Sequence, residues 1–324
     1  MNTLETIKES LKPELKALTD KMEEALSSPN SLMASVVSSC LKTKGKLIRP
    51  IMVILASRLF GEVNQKSISS AAAVELLHNA SLIHDDVVDE SKIRRGKATV
   101  NSRWDNHIAV LVGDFYVSSA LKQAISTGDI RIVNSLASLG RLLSIGEIDQ
   151  IYNARQHKLD EKSYFEVIGR KTASLFVSCV EMGAYSVGAP EEKITPLRRY
   201  AELLGLCFQI RDDIFDYYDD EKIGKPTGND LREGKITLPL LYALSREDLP
   251  EHKEMNELLK KEELDKNDID ILISFAIKAG GIDYAHARMR KLAEEADALL
   301  HDYDPSDARG NLRDILDFVI ERES

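Results

Sequence analysis

Along nearly the whole chain, apolar residues return every third or fourth position, the spacing that lays one stripe along a helix, and the alternation of a half-buried strand is absent. The pattern predicts helices over 3–27, 30–41, 47–60, 67–91, 103–127, 129–155, 161–187, 193–219, 236–245, 251–259, 267–278, 281–301 and 306–322. Breaks fall at Gly or Pro, or at polar clusters such as GEVNQ, STGD, GAPEE and REDLPEH. One connection is long: EKIGKPTGNDLREGK, from Glu221 to Lys235, is charged and Gly-rich, and connections of that length are usually functional or disordered. No fixed-period repeat or shift in composition divides the 324 residues, so the expectation is a single all-α domain over 1–324.

Composition narrows the class. A single Trp, 6% aromatic residues and an abundance of Ala, Leu, Ile, Glu, Lys and Asp suit a helical protein with enough apolar content to bury a large core. A net charge of -10 without a Lys/Arg-rich tract argues against a nucleic-acid partner. Cys40, Cys179 and Cys207 are odd in number, widely spaced and form no CxxC, which reads as buried thiols in a reducing compartment. The N-terminal stretch lacks the continuous apolar core of a signal peptide, and no apolar run suggests a membrane span, so a cytoplasmic protein without stable membrane insertion is expected.

The chemistry lies in two acid clusters. The stretch LIHDDVVDE carries Asp85, Asp86 and Asp89, and RDDIFD carries Asp212, Asp213 and Asp216 with the same spacing. Residues four apart share a helix face, so each cluster aligns two carboxylates one turn apart with a third beside them. A lone DDxxD is as often a solvated helix end. Two copies are harder to dismiss, because both lie near helix C-termini, where acids oppose the helix dipole. Hard oxygen ligands without a His/Cys set suit Mg²⁺, which keeps several waters and bridges to phosphates. Two such clusters can hold two or three ions and, through them, a diphosphate.

Cations stand beside the acids. Arg94 and Arg95 follow the first cluster; Gly45, Lys46 and Arg49 form KGKLIRP ahead of a helix; Lys171 and Thr172 lie in GRKTA; Lys225 and Lys235 bracket the long loop. Each alone is more often an ordinary surface cation. His78, alone more often a packed core histidine, lies two turns before Asp85 on its stripe, and Gln209 similarly faces Asp212 and Asp216.

In order along the chain, KGKLIRP, LIHDDVVDESKIRRGKAT, GDFY, GEIDQ, GRKTA, FQIRDDIFDY and GKPTGNDLREGKITLPL resemble the motifs of the all-trans polyprenyl diphosphate synthases, over roughly residues 35–240. The resemblance implies an all-α bundle of long helices around a central cavity, usually a homodimer, that joins isopentenyl diphosphate to an allylic diphosphate. It implies Mg²⁺ held chiefly by Asp85, Asp89 and Asp212, supported by Asp86, Asp213 and Asp216. Arg94, Lys171, Lys225 and Lys235 would hold the allylic diphosphate. Gly45, Lys46, Arg49, His78 and Arg95 would hold isopentenyl diphosphate, with Thr172 and Gln209 near the reacting carbon. The C-terminal FVIERES lacks a basic ending and receives no ligand role.

Cleavage of the allylic carbon–oxygen bond requires stabilisation of the departing diphosphate, and closure of the loop 221–235 would keep water from the cation. No His or Glu stands out as a base, which leaves the departing diphosphate to accept the proton. Ala80 and Ser81, small residues one turn before the first cluster, favour a long, octaprenyl-like product near C40 over a C20 product; Leu136, Leu139 or Leu143 are candidates for a tunnel floor. Further readings compete: a silent subunit of a heteromeric synthase, which would have lost aspartates; a class I terpene cyclase or head-to-head coupling enzyme, of which the cyclases usually carry an NDxxSxxxE-like second motif; and a diphosphate hydrolase, which would leave KGKLIRP and His78 unexplained.

Overall fold

A computed structural model of the chain describes residues 3–42, 45–156, 159–218, 227–261 and 263–321. It is all-α: α1 (Thr3–Ser10), α2 (Lys12–Ala25), α3 (Ser31–Leu41), α4 (Ile48–Phe60), α5 (Gln65–Val88), a hairpin of β1 (Ile93–Arg94) and β2 (Lys97–Ala98), α6 (Val100–Arg103), α7 (Asn106–Ser126), α8 (Ile130–Arg155) and α9 (Glu161–Ile168). A π-turn (Gly169–Ala173) leads into α10 (Ser174–Ser186), followed by α11 (Glu191–Phe215), α12 (Asn229–Arg232), α13 (Leu238–Ser245), α14 (His252–Leu258), α15 (Lys266–Lys278), α16 (Gly281–Leu300) and α17 (Asp307–Glu321).

The helices follow the apolar periodicity, with local departures. The expected 3–27 helix breaks at Leu11, 103–127 divides around Trp104, and 161–187 contains the π-turn. The hairpin lies where no strand was expected. Its two-residue loop, Arg95–Gly96, has φ of 51° and 72°, the paired positive values of the tight turn that matches strand twist. The long connection is partly helical: residues 221–226 lie outside the described ones, and α12 occupies 229–232.

The chain divides into two units. The first comprises Met1–Arg141, Leu175–Ala201 and Leu299–Ile315. At its centre α5 packs against α7, α4 and α2. Asn64 starts α5 by accepting from the amides of Lys66 and Ser67, while the Ser67 hydroxyl accepts from the Asn64 amide. From Ser67 to His78 every α5 residue is buried, as expected of a helix enclosed on all sides. α7 buries Ala109, Val112, Gly113, Tyr116, Ala120 and Ala124 in one stripe, while its opposite face exposes Leu111, Val117, Leu121 and Ile125. This 21-residue helix is long and apolar enough to cross a membrane by length and composition, which the sequence reading overlooked; Asp114 and Lys122 interrupt its apolar run.

The second unit comprises Leu142–Ser174, Glu202–Ala298 and Leu316–Ser324. In it α13 packs against α9, α14 and α15. Cys40, Cys179 and Cys207 are free thiols, the last two buried.

Candidate active site

In the first unit, the C-terminal end of α5 carries Asp85, Asp86 and Asp89. Asp85 and Asp89 are half-buried, and Asp89 is the residue that ends the helix. Asp86 is buried and accepts from Arg94 Nε at 2.7 Å. Burial pushes the Asp86 carboxyl above its usual range, and the adjacent guanidinium only partly offsets it. Arg94 therefore pairs with an acid that the sequence reading assigned to metal support.

Arg95 lies over Gly45. A Cβ built at position 45 would stand 2.7 Å from Arg95 Nη1, so any larger residue would displace the guanidinium from this position. Arg49 stacks over Phe176, 5.4 Å from the ring centroid. His78 is buried, and burial first, then the charges of Arg49, Arg95 and Arg94, push its imidazole well below the ordinary value. It is thus a neutral hydrogen-bonding group at pH 7. Glu75, which sequence reasoning missed, is buried one turn earlier; burial raises its pKa, and the charges of Arg49 and Arg95 oppose the rise. Its place three residues before His78 was the available signal. Lys46 is exposed, Ala80 is fully buried, and half-buried Ser81 donates to the His78 carbonyl at 2.9 Å.

His84, adjacent to Asp85, seats this end of α5 on α7. Its Nε2 lies 3.3 Å from the Val110 carbonyl and 3.6 Å from Asp114 Oδ1. A Cβ on Gly113 would come within 2.1 Å of the same nitrogen, so the close approach of ring to helix requires glycine.

In the second unit, the π-turn aims Lys171 and Thr172 at α8 and α11. Lys171 pairs with Glu147 and Arg170 with Asp149, both acids of the GEIDQ motif. Gly146 admits this packing, because a Cβ there would meet the Lys171 amide nitrogen at 3.0 Å. Thr172 Oγ1 donates to Gln209 Oε1 at 2.7 Å, Gln209 Nε2 to Asp213 Oδ1 at 2.8 Å, and Tyr164 OH to Asp213 Oδ2 at 2.6 Å. This run of hydrogen bonds brings together Thr172, Gln209 and Asp213 from the sequence assignment and adds Tyr164. Burial is the largest cause raising the Asp213 pKa, and neighbouring Asp212 and Asp216 raise it further.

Asp216 accepts from the backbone amides of Asn229 and Asp230, both at 3.0 Å, and so holds the start of α12. Asp230, also missed, is pushed well above the carboxylate range by burial and then by Asp213 and Asp216. Lys235 pairs with Glu233. Lys225 lies outside the described residues. A cavity of about 920 Å³ in this unit is lined by Lys171, Thr172, Gln209, Asp213, Asp230 and Lys235, among others.

Among the described residues, no group of three or more His, Cys, Asp or Glu side chains gathers into a metal cage. The donor chemistry nonetheless fits Mg²⁺, which takes one or two carboxylates and completes its shell with water and phosphate.

The chain matches the family model described as polyprenyl synthetase over residues 30–275. It is 33% identical to heptaprenyl diphosphate synthase component 2 of Geobacillus stearothermophilus, with 97% of each chain covered. It is 36% identical to the all-trans-nonaprenyl-diphosphate synthase (geranyl-diphosphate specific) of Rhodobacter capsulatus, with 86% of each covered. Its fold matches the polyprenyl synthase of Caulobacter crescentus, crystallised with calcium and isoprenyl diphosphate, at a TM-score of 0.92 and 32% identity, covering 99% of this chain and 98% of that one. The chain belongs to the polyprenyl synthetase family.

Proposed function

We propose that this prenyltransferase condenses isopentenyl diphosphate head-to-tail with an allylic diphosphate, giving a long all-trans polyprenyl diphosphate and free diphosphate. The observation that carries the reading is the second-unit cavity, where a lysine, the Thr172–Gln209 pair and buried Asp213 line one space. Asp85 and Asp89 in the first unit, and Asp212 in the second, are the carboxylates that would hold Mg²⁺, which when bound supplies the positive charge that stabilises a departing diphosphate. Lys171 and Lys235 add fixed cations for the allylic diphosphate, and Arg94 serves it after exchanging its bond to Asp86. Lys46, Arg49 and Arg95, with neutral His78 as a hydrogen-bond donor, hold isopentenyl diphosphate. Gln209 and Thr172 orient the reacting end and present no basic group, so the departing diphosphate takes the proton.

The small side chains of Ala80 and Ser81 favour a product near C40, and the two relatives named above carry heptaprenyl and nonaprenyl names. The apolar outer face of α7 suits a second copy of this chain, in keeping with a homodimer. A second reading follows from the Geobacillus relative, whose name denotes one component of an enzyme: the chain would then need a partner for activity. One experiment separates the two. The purified chain, given Mg²⁺, farnesyl diphosphate and labelled isopentenyl diphosphate, should yield sized polyprenyl products by itself, and Asp212→Ala should abolish them. A pure chain that is inactive until a cell extract is added supports the component reading instead.

A further inference from the structure

The sequence is acidic, yet residues 42–49 and 91–104 carry nine Lys and Arg and no Asp or Glu. The fold brings these segments together. Lys97 Nζ donates to the Lys42 carbonyl at 3.0 Å, Arg95 lies over Gly45, and Arg103 Nη1 donates to Ser39 Oγ at 3.1 Å. The arrangement is not one that stability favours. Arg94 and Lys97 are directly opposed across the hairpin, a like-charge pair that weakens a sheet. Asp86 answers Arg94, whereas Lys97 donates to a backbone carbonyl and pairs with no acid among the described residues, and Arg95 occupies a left-handed turn position uncommon for a non-glycine residue. Lys42, Lys92 and Lys97 are exposed.

We infer that Lys42, Lys92 and Lys97 form a cationic collar around the Gly45–Lys46–Arg95 site that captures diphosphate anions before they reach it. The inference rests on the proposed isopentenyl diphosphate site for the identity of the anion, and on the hairpin geometry for the collar itself. A chain of net charge -10 repels a diphosphate at long range. The exposed Lys42, Lys92 and Lys97 oppose that field locally, on segments that carry no acid of their own although Asp86 and Glu75 lie beside Arg94 and Arg95, and such fields act through association and weaken with salt.

The test is the triple variant Lys42→Gln/Lys92→Gln/Lys97→Gln; glutamine at 97 keeps a donor for the Lys42 carbonyl. Binding of inorganic diphosphate to the metal-free protein would be followed by calorimetry from about 10 mM to about 0.5 M salt, across which the screening length falls from about 30 Å to a few ångströms. The variant should bind about tenfold more weakly at the low end and within twofold of the native protein at the high end. In turnover assays its KM for isopentenyl diphosphate should rise by the same factor at low salt, with kcat unchanged. If condensation is absent but the binding curves converge as described, the collar stands and the proposed reaction falls. Parallel binding curves overturn the collar. So does loss of binding to anionic lipid vesicles with diphosphate binding intact, which would assign the patch to a lipid surface.

Discussion

Replacing His78 by Gln isolates one buried titratable group. His78 lies on the enclosed part of α5, and the charges that shift it come from Arg49 on α4 and from Arg94 and Arg95 on the hairpin. Burial dominates and the three cations act in the same direction, so the folded-state pKa is well below that of the unfolded chain. The unfolded state therefore binds the proton more readily. Stability is fully present above the unfolded value near 6.5 and is lost as pH falls below it. For an imidazole that stays neutral in the fold throughout, lowering the pH from 7.5 to 5.0 costs at most about 2 kcal/mol, from a slope of about 1.4 kcal/mol per pH unit below 6.5. Glutamine is polar, of similar reach and does not titrate. Urea unfolding at the two pH values should show the native protein losing more than His78→Gln, by up to about 2 kcal/mol. Carboxyl groups whose pKa burial raises, Glu75 among them, remain in both proteins and cancel in the difference. Equal losses would refute the assignment of a buried neutral imidazole, and with it the view that His78 serves diphosphate as an uncharged donor.

Gly113→Ala should destabilise the protein, although Ala favours a helix over Gly by about 1 kcal/mol, because its Cβ would meet His84; in a His84→Ala background the same change should stabilise by about 0.5–1 kcal/mol, and thermal unfolding of the four proteins reads the reversal. Tyr164→Phe removes a donor from buried Asp213 and should lower stability by about 1–3 kcal/mol in urea titrations; no loss would mean that the bond is not formed in solution. Ser81→Phe should shorten the product from about C40 to C15 or C20 while primer turnover persists, since helical side chains lean toward the N-terminus and into the path of the growing tail. An unchanged product length on chromatography would place the tail elsewhere.

The periodicity of apolar residues was enough to locate the helices, because burial of a stripe is a property of spacing and survives ignorance of what the stripe packs against. Pairing across elements is a different kind of information. Thr172 and Gln209, assigned separately from their motifs, are bonded to each other in the structure. Tyr164 was passed over because a tyrosine on an apolar helix reads as core, and only its distance to Asp213 gives it another meaning. Asp216 illustrates the converse: its DDxxD spacing announced a ligand, while here its carboxylate caps α12, a partner 13 residues on in a segment read as loop. The two-strand hairpin escaped notice for a simpler reason, since two residues per strand are too few to show an alternation. Asp230 was missed because a single acid has no spacing to betray it, and Glu75 because its one signal, a place three residues before His78, leads to a residue that itself reads as core.

The π-turn at Gly169–Ala173 has a consequence for how this helix can vary over evolutionary time. Such a turn is one surplus residue retained inside a helix. Deleting it would give a regular helix with better local geometry, so nothing within the segment itself preserves the surplus. Since the wider turn takes up the extra residue locally, the helix on either side keeps its register with or without it. Deletion would therefore leave Tyr164 before the turn and α10 after it facing as they do, and would change only what the turn itself presents, Lys171 and Thr172 toward the cavity. The flanks can accept many exchanges of side chain, while the count of residues within this one turn is the inherited character under selection.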